Sequence, residues 1–171
     1  VQIALCCAGG DREATFMADK MVETIPPGGQ HETDVIVIGA GPVGLFAVFE
    51  LGLLGIKARL IDILDHPGGQ CIELYPEKPI LDIPAIKSIS GEQLTRQLLD
   101  QIEPFGAHFH LNEMAVTLDK TDDGKWRVGT DMNTTIEAPV ICIAAGGGSF
   151  QPKKPPIPGV DDYEGTSVYF A

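Results

Sequence analysis

Residues 34–62, DVIVIGAGPVGLFAVFELGLLGIKARLID, decide the fold. Val35 to Ile38 is a short unbroken apolar run, the mark of a strand buried on both faces. From Pro42 to Leu54, apolar residues at Val43, Phe46, Ala47, Leu51 and Leu54 have helical spacing, and Gly55 stands where a helix-ending glycine belongs. Ala58 to Ile61 reads as a second strand that ends at Asp62. A β-α-β unit of about thirty residues makes the two strands parallel, with a right-handed crossover.

Between strand and helix stand Gly39, Gly41 and Gly44. This spacing lets the chain turn tightly out of a strand, brings backbone close to a pyrophosphate and lets helix pack on sheet. The positive end of the helix then faces the phosphates. Alone, such glycines describe any glycine-rich turn. Here they follow a strand, open a helix and are answered by Asp62, 18 residues after Gly44, an acid placed to accept hydrogen bonds from ribose hydroxyls. The pattern points to a dinucleotide, and Asp62 would repel a 2′-phosphate, which leaves FAD or NAD rather than NADP. The glycines do not choose between flavin and nicotinamide.

Outward from this unit, residues 63–89 form a long connection through Gly68-Gly69-Gln70 and Leu74-Tyr75-Pro76-Glu77-Lys78-Pro79. Its apolar content (Ile72, Leu74, Tyr75, Ile80, Leu81, Ile83) predicts a segment folded down on the domain and partly helical. Ser90 and Gln93 form a capping box for a helix to about Glu103, with Leu94, Leu98, Leu99 and Ile102 as its buried stripe and Pro104 and Gly106 as its stop. Ala107 to Leu111 is a third parallel strand. The period then changes to two: 115–118, 125–128 and 135–137 read as an antiparallel meander. Val140 to Ile143 returns to a buried parallel strand that runs into Ala144-Ala145-Gly146-Gly147-Gly148. The fold class is α/β: a three-layer FAD/NAD(P)-binding Rossmann-like domain, with helices on one side of a parallel sheet and a β-meander on the other. Residues 1–33 read as a flexible tail, 34–150 as the dinucleotide-binding domain, and 151–171, rich in Pro and Lys, as a linker.

A plain NAD domain would continue β-α-β, whereas here a long loop follows Asp62 and a meander follows the third parallel strand. This arrangement resembles the FAD domains of glutathione-reductase-like flavoproteins. Gly39 to Phe49, Gly68-Gly69-Gln70, Leu74 to Lys78, Asp82-Ile83-Pro84 and Gly146 to Pro152 are similar to the ferredoxin–NADP reductases of the thioredoxin-reductase-like type. The likeness covers the chain from about Thr33 onward. It implies that Asp62 binds the adenosine ribose, Gln70 holds the ribityl or diphosphate region, and Tyr75 lies against the isoalloxazine ring. An aromatic face suits that last role; packing the loop down is the alternative for Tyr75. The resemblance further implies adenine on the main chain at Ala115, Phe150 against the flavin, and Asp82 near the ring or simply an exposed loop acid. No catalytic side chain is implied in this stretch.

The same family carries a second nucleotide-binding domain for NADPH, and no second glycine fingerprint follows in these 171 residues. The resemblance therefore implies part of a reductase, inactive alone, whose complete form passes a hydride from NADPH to FAD and single electrons to ferredoxin, as a homodimer. Two other readings stand beside it: a non-catalytic dinucleotide-binding module, and an inactive truncated fragment. Tyr75 and the Gly68-Gly69-Gln70 loop discriminate, since a pure NAD module has no use for them.

Composition excludes other classes. The net charge of −12 argues against nucleic acid as partner. The longest uncharged stretches, 35–49 and 138–152, are fifteen residues each and broken by Gly and Pro, short of the ~20 that span a membrane. Cys6, Cys7, Cys71 and Cys142 lack C-x-x-C spacing, which suits a reducing cytoplasm and gives neither a disulfide framework nor a zinc site. His31, His66, His108 and His110 have no metal-ligand spacing, and the last two, on one face of a strand, read as structural.

Overall fold

In the computed structural model, residues 22–149, 157–159, 163, 166 and 167 are described. In chain order they form β1 (Glu23–Thr24), β2 (Gly29–Glu32), β3 (Val35–Ile38), α1 (Pro42–Leu53), β4 (Ala58–Ile61), α2 (Gln70–Glu73), β5 (Pro79–Ile80) and β6 (Ile89–Ser90). Next come α3 (Gly91–Ile102), a 3-10 turn (Glu103–Phe105), β7 (His108–His110), β8 (Ala115–Lys120), β9 (Trp126–Thr130), β10 (Thr134–Ala138) and β11 (Val140–Ile143).

One sheet has the order β1-β7-β4-β3-β11, with every neighbour pair parallel. A second has the order β2-β10-β9-β8. Strand alternation sorts β3 between two cores. Val35 and Val37 pack with Leu45 and Val48 of α1, Leu98 and Ile102 of α3, and Phe109 of β7. Ile36 points the other way, onto Val128, Ile136 and Ala138 of the second sheet. A strand with a packed layer on each face needs apolar residues at every position, and this is why 35–38 reads as a continuous run.

Three local features go beyond the sequence reading or depart from it. Gly29–Glu32, read as part of the tail, is a strand that pairs in parallel with β10, Gly29 opposite Thr134 through Glu32 opposite Glu137. Its side chains are mostly exposed, so main-chain pairing chiefly holds it and no apolar alternation marked it. In α1 the buried residues are Gly44, Leu45 and Val48, while Val43, Phe46 and Leu53 are exposed, as is Leu54 just after it. The helix is apolar nearly all round, so its spacing could not choose a face. The choice falls to Gly44, the residue without a side chain, where a Cβ would stand 1.9 Å from the Gly39 oxygen. In α3, Thr95 joins Leu98 and Ile102 in the buried stripe, its hydroxyl donating to the Gly91 carbonyl at 3.1 Å, while Leu94 and Leu99 are only partly covered. The capping box is present as expected: the Gln93 amide donates to Ser90 Oγ at 3.1 Å, and the Ser90 amide to Gln93 Oε1 at 3.2 Å.

The connection 63–89 holds the one-turn helix α2 and the β5–β6 hairpin. It comes back to the glycine turn, where the Gly68 amide donates to the Ala40 carbonyl at 2.9 Å.

Candidate functional site

β3 is where the chain order reverses: β4 and β7 lie to one side of it and β11 to the other. In parallel sheets a crevice opens beyond the carboxyl ends of the strands at such a point. Here it is a cleft of about 660 Å³, walled by the ends of β3, β4 and β11, by the loop entering α2, and by Glu113 to Ala115 before β8. That volume suits an extended small ligand.

The glycine turn forms the floor. Gly39 has φ +105°, and a Cβ there would stand 2.4 Å from the Ala144 carbonyl oxygen, so only glycine lets β3 pass this close to the exit of β11. Gly41 caps α1 with no side chain bonded to the first turn, whose amides are left for a ligand. At the end of β4, Asp62 Oδ2 accepts from the Ala40 amide at 2.6 Å and Oδ1 from the Leu64 amide at 3.0 Å. Each oxygen keeps a further lone pair.

Across the cleft, the loop 68–75 meets the exit of β11. A Cβ on Gly147 would approach Gln70 Nε2 to 3.3 Å, so Gln70 lies along the glycine run. Tyr75 is half-buried, with Lys78 Nζ 5.5 Å from its ring centroid. Burial raises the Tyr75 phenol above its ordinary value, and the neighbouring Cys71 thiol adds to the rise. Burial raises the Cys71 thiol too, with a hydrogen bond to Tyr75 opposing it. Both stay protonated at neutral pH, which leaves this end of the cleft without charge from either.

Of the residues singled out from the sequence, Gly39, Gly41, Asp62, Gln70, Tyr75 and Ala115 all line this cleft. Gly44 does not; it sits behind the turn and fastens α1 to β3. Phe150 lies outside the described residues, and Asp82 lies away from the cleft lining. Cys71, Glu113 and Met114 are wall residues that sequence reasoning missed. Glu113 left one readable trace, an acid three positions beyond His110 at a strand end. Among the described residues no cluster of His, Cys, Asp or Glu could hold a metal ion, and no helix is long and apolar enough to cross a membrane.

Comparison with known proteins agrees with this geometry. The chain is 63% identical over 139 residues to the ferredoxin–NADP reductase of Parvibaculum lavamentivorans, covering 81% of this chain and 40% of that protein. The ferredoxin–NADP reductase of Bradyrhizobium sp. is 62% identical over 140 residues, covering 82% and 41%. The chain thus spans about two fifths of the length of these curated relatives. Among solved structures, thioredoxin reductase of Lactococcus lactis superposes with a TM-score of 0.59 at 24% identity, over 77% of this chain and 40% of that one, a likeness of fold. The pyridine nucleotide-disulphide oxidoreductase family matches residues 33–170, which include every strand and helix from β3 onward. With its glycine turn, its acid after β4 and its paired sheets inside that match, the chain belongs to the pyridine nucleotide-disulphide oxidoreductases.

Proposed function

We propose that this chain is the FAD-binding portion of a flavoprotein oxidoreductase that transfers electrons between NADPH and ferredoxin. One observation carries the reading: the cleft has two unlike ends. At one lie Asp62, with its carboxylate, and Ala115, where a small side chain leaves the main chain open to approach; at the other, Gln70, Tyr75 and Gly146 to Gly148 form a wall with an aromatic side chain. An adenosine suits the first and a flat ring system the second, and a nicotinamide module would leave the second without a purpose.

The residues fit FAD. Gly41 and Gly69 pack backbone against backbone, a Cβ on Gly69 standing 3.1 Å from the Gly41 Cα, and both line the cleft, so a diphosphate there would meet main chain with no side chain in the way. The uncapped first turn of α1 would receive its charge, Asp62 would hold the ribose, Ala115 would meet the adenine through its main chain, Gln70 would hold the ribityl or diphosphate region, and Tyr75 would cover one face of the ring. Bound there, FAD supplies hydride acceptance and single-electron release; the protein's part is placement, exclusion of water and tuning. Ferredoxin as partner rests on the names of the relatives. Assembly as a homodimer and a cytoplasmic location rest on the family resemblance and on the unbridged Cys71 and Cys142.

The experiment is the visible spectrum of the chain after FAD is added and the excess removed. A retained, structured flavin band supports the reading. A colourless protein would mean that these residues do not build a working site by themselves, and NAD bound in place of FAD would overturn the flavin assignment.

A further inference from the structure

Beside the apolar contacts between the sheets lies a polar group that the cleft chemistry does not use. His110 of β7 and Glu113 are both fully buried. Among the described residues, His110 Nδ1 and Glu113 Oε1 are the buried side-chain polar atoms without a hydrogen-bond partner, and they lie 3.5 Å apart. His31 of β2 packs its ring 4.9 Å from that of His110, and Arg59 Nη1 of β4 is 3.3 Å from His110 Nε2. On the same face of β7, His108 is tied to Glu23 of β1 at 3.1 Å. From β9, Thr130 donates its hydroxyl to Glu113 Oε2 at 2.7 Å.

The direction of each proton follows from chemistry. A guanidinium only donates, so His110 Nε2 must accept, and a neutral ring then carries its proton on Nδ1, aimed at Glu113 Oε1. Thr130 Oγ1 already accepts from the Thr134 amide at 3.1 Å and the Met132 amide at 3.3 Å, so its own proton is left for Glu113 Oε2. Donors therefore converge on both oxygens of Glu113. A carboxylate satisfies them; an amide or a protonated acid sets one donor against another. An apolar plug would fill this space at lower electrostatic cost, but it would give the backbone no direction.

The backbone of Glu113 belongs to the candidate site. Its amide donates to the Asp62 carbonyl at 3.0 Å, and the Asn112 amide donates to the Leu64 carbonyl at 3.0 Å. Asn112 lies between with φ +56°, a left-handed conformation that needs its neighbours fixed. Met114 and Ala115 follow directly and line the cleft. We propose that Glu113 is a positioning residue of the dinucleotide site: a buried carboxylate, tied to Arg59 through the imidazole of His110, that holds the Asn112 turn so that Asp62 and Ala115 face the ligand together. This rests on the dinucleotide reading above.

The test uses the 171-residue chain with two readouts. The first needs no ligand: long-range proton–nitrogen NMR of His110, where protonated Nδ1 is expected at neutral pH and protonated Nε2 would overturn the proposal. The second is FAD affinity, followed by flavin fluorescence well below each variant's melting temperature. Glu113→Gln and Thr130→Val are expected to weaken binding about tenfold or more, while Thr130→Ser, which keeps the hydroxyl, restores it. Lower melting temperatures with FAD affinity within about twofold of the wild type would make Glu113 a merely structural residue and overturn the proposal. Should the unaltered chain bind no FAD, these residues do not build a working site by themselves, and the His110 tautomer still decides whether the buried relay exists.

Discussion

The amide of Ala40 donates to Asp62 Oδ2 at 2.6 Å, joining the glycine turn after β3 to the acid that ends β4. The two halves of the dinucleotide fingerprint are thus one hydrogen-bonded object before any ligand arrives, and the bond from the Leu64 amide to Oδ1 fixes the carboxylate from its other side. Pre-set acceptors of this kind spare a ligand the cost of ordering them.

Removing that carboxylate therefore has two consequences. In Asp62→Ala the Ala40 and Leu64 amides lose their acceptor, which costs about 1–3 kcal/mol of stability, and on the proposed reading a bound ribose would lose its partner as well. Asp62→Asn keeps one acceptor oxygen and is expected to fall between. Thermal unfolding and FAD titration, run on both variants, check this. FAD affinity unchanged in Asp62→Ala would remove Asp62 from the ligand site.

Tyr75 is tested by spectrum rather than affinity. Tyr75→Phe keeps the ring and loses the hydrogen bond with Cys71, so the bound flavin band is expected to keep its shape. With Tyr75 placed as proposed, Tyr75→Ala would leave one face of the ring system open to water, and the band should shift and lose fine structure. Identical bands in all three proteins would place the ring system elsewhere.

How far the sequence could be read depended on how each feature is held. The β3-α1-β4 unit, the capping box of α3 and the period-two meander were legible because each follows from local pattern. Gly39, Gly41, Asp62, Gln70, Tyr75 and Ala115 were found from motif and resemblance, and the fold carries them to one cleft. β2 was not legible, since an exposed strand paired through its main chain has no pattern to show. The buried face of α1 was not legible from period because the helix is apolar nearly all round and the deciding contact is an absent side chain at Gly44. Glu113 was hard to read for a third reason: its partners His110 and Thr130 come from β7 and β9, and only the two-sheet packing brings them together.

Gly44 should accordingly be the least replaceable glycine of the turn for stability. In Gly44→Ala the new methyl would lie 1.9 Å from the Gly39 carbonyl oxygen, forcing α1 off the sheet. A loss of about 3 kcal/mol in urea unfolding is expected, at the upper end of what overpacking costs. Gly55→Ala is the comparison: φ is +71° but nothing lies within 4 Å, so only backbone strain of about 1 kcal/mol applies. Equal losses in the two variants would show that helix–sheet contact at Gly44 is not what closes the domain.

The buried relay also makes stability depend on pH in a defined direction. Burial, first of all, pushes the His110 imidazole down to about 4; Arg59 and His31 push the same way, and Glu113 opposes them. Because the folded value lies below the unfolded one of about 6.5, the unfolded chain takes up a proton that the native chain refuses. The stability is fully present above about pH 6.5 and falls as the pH drops toward 4, by at most about 1.4 kcal/mol per pH unit and about 3 kcal/mol in all. Urea unfolding across that window measures the slope. His110→Gln can accept from Arg59 with its oxygen and donate to Glu113 with its nitrogen, yet it cannot titrate. The variant is expected to lose up to one proton's worth of that slope, and an undiminished slope would mean that other groups carry the acid sensitivity of the fold.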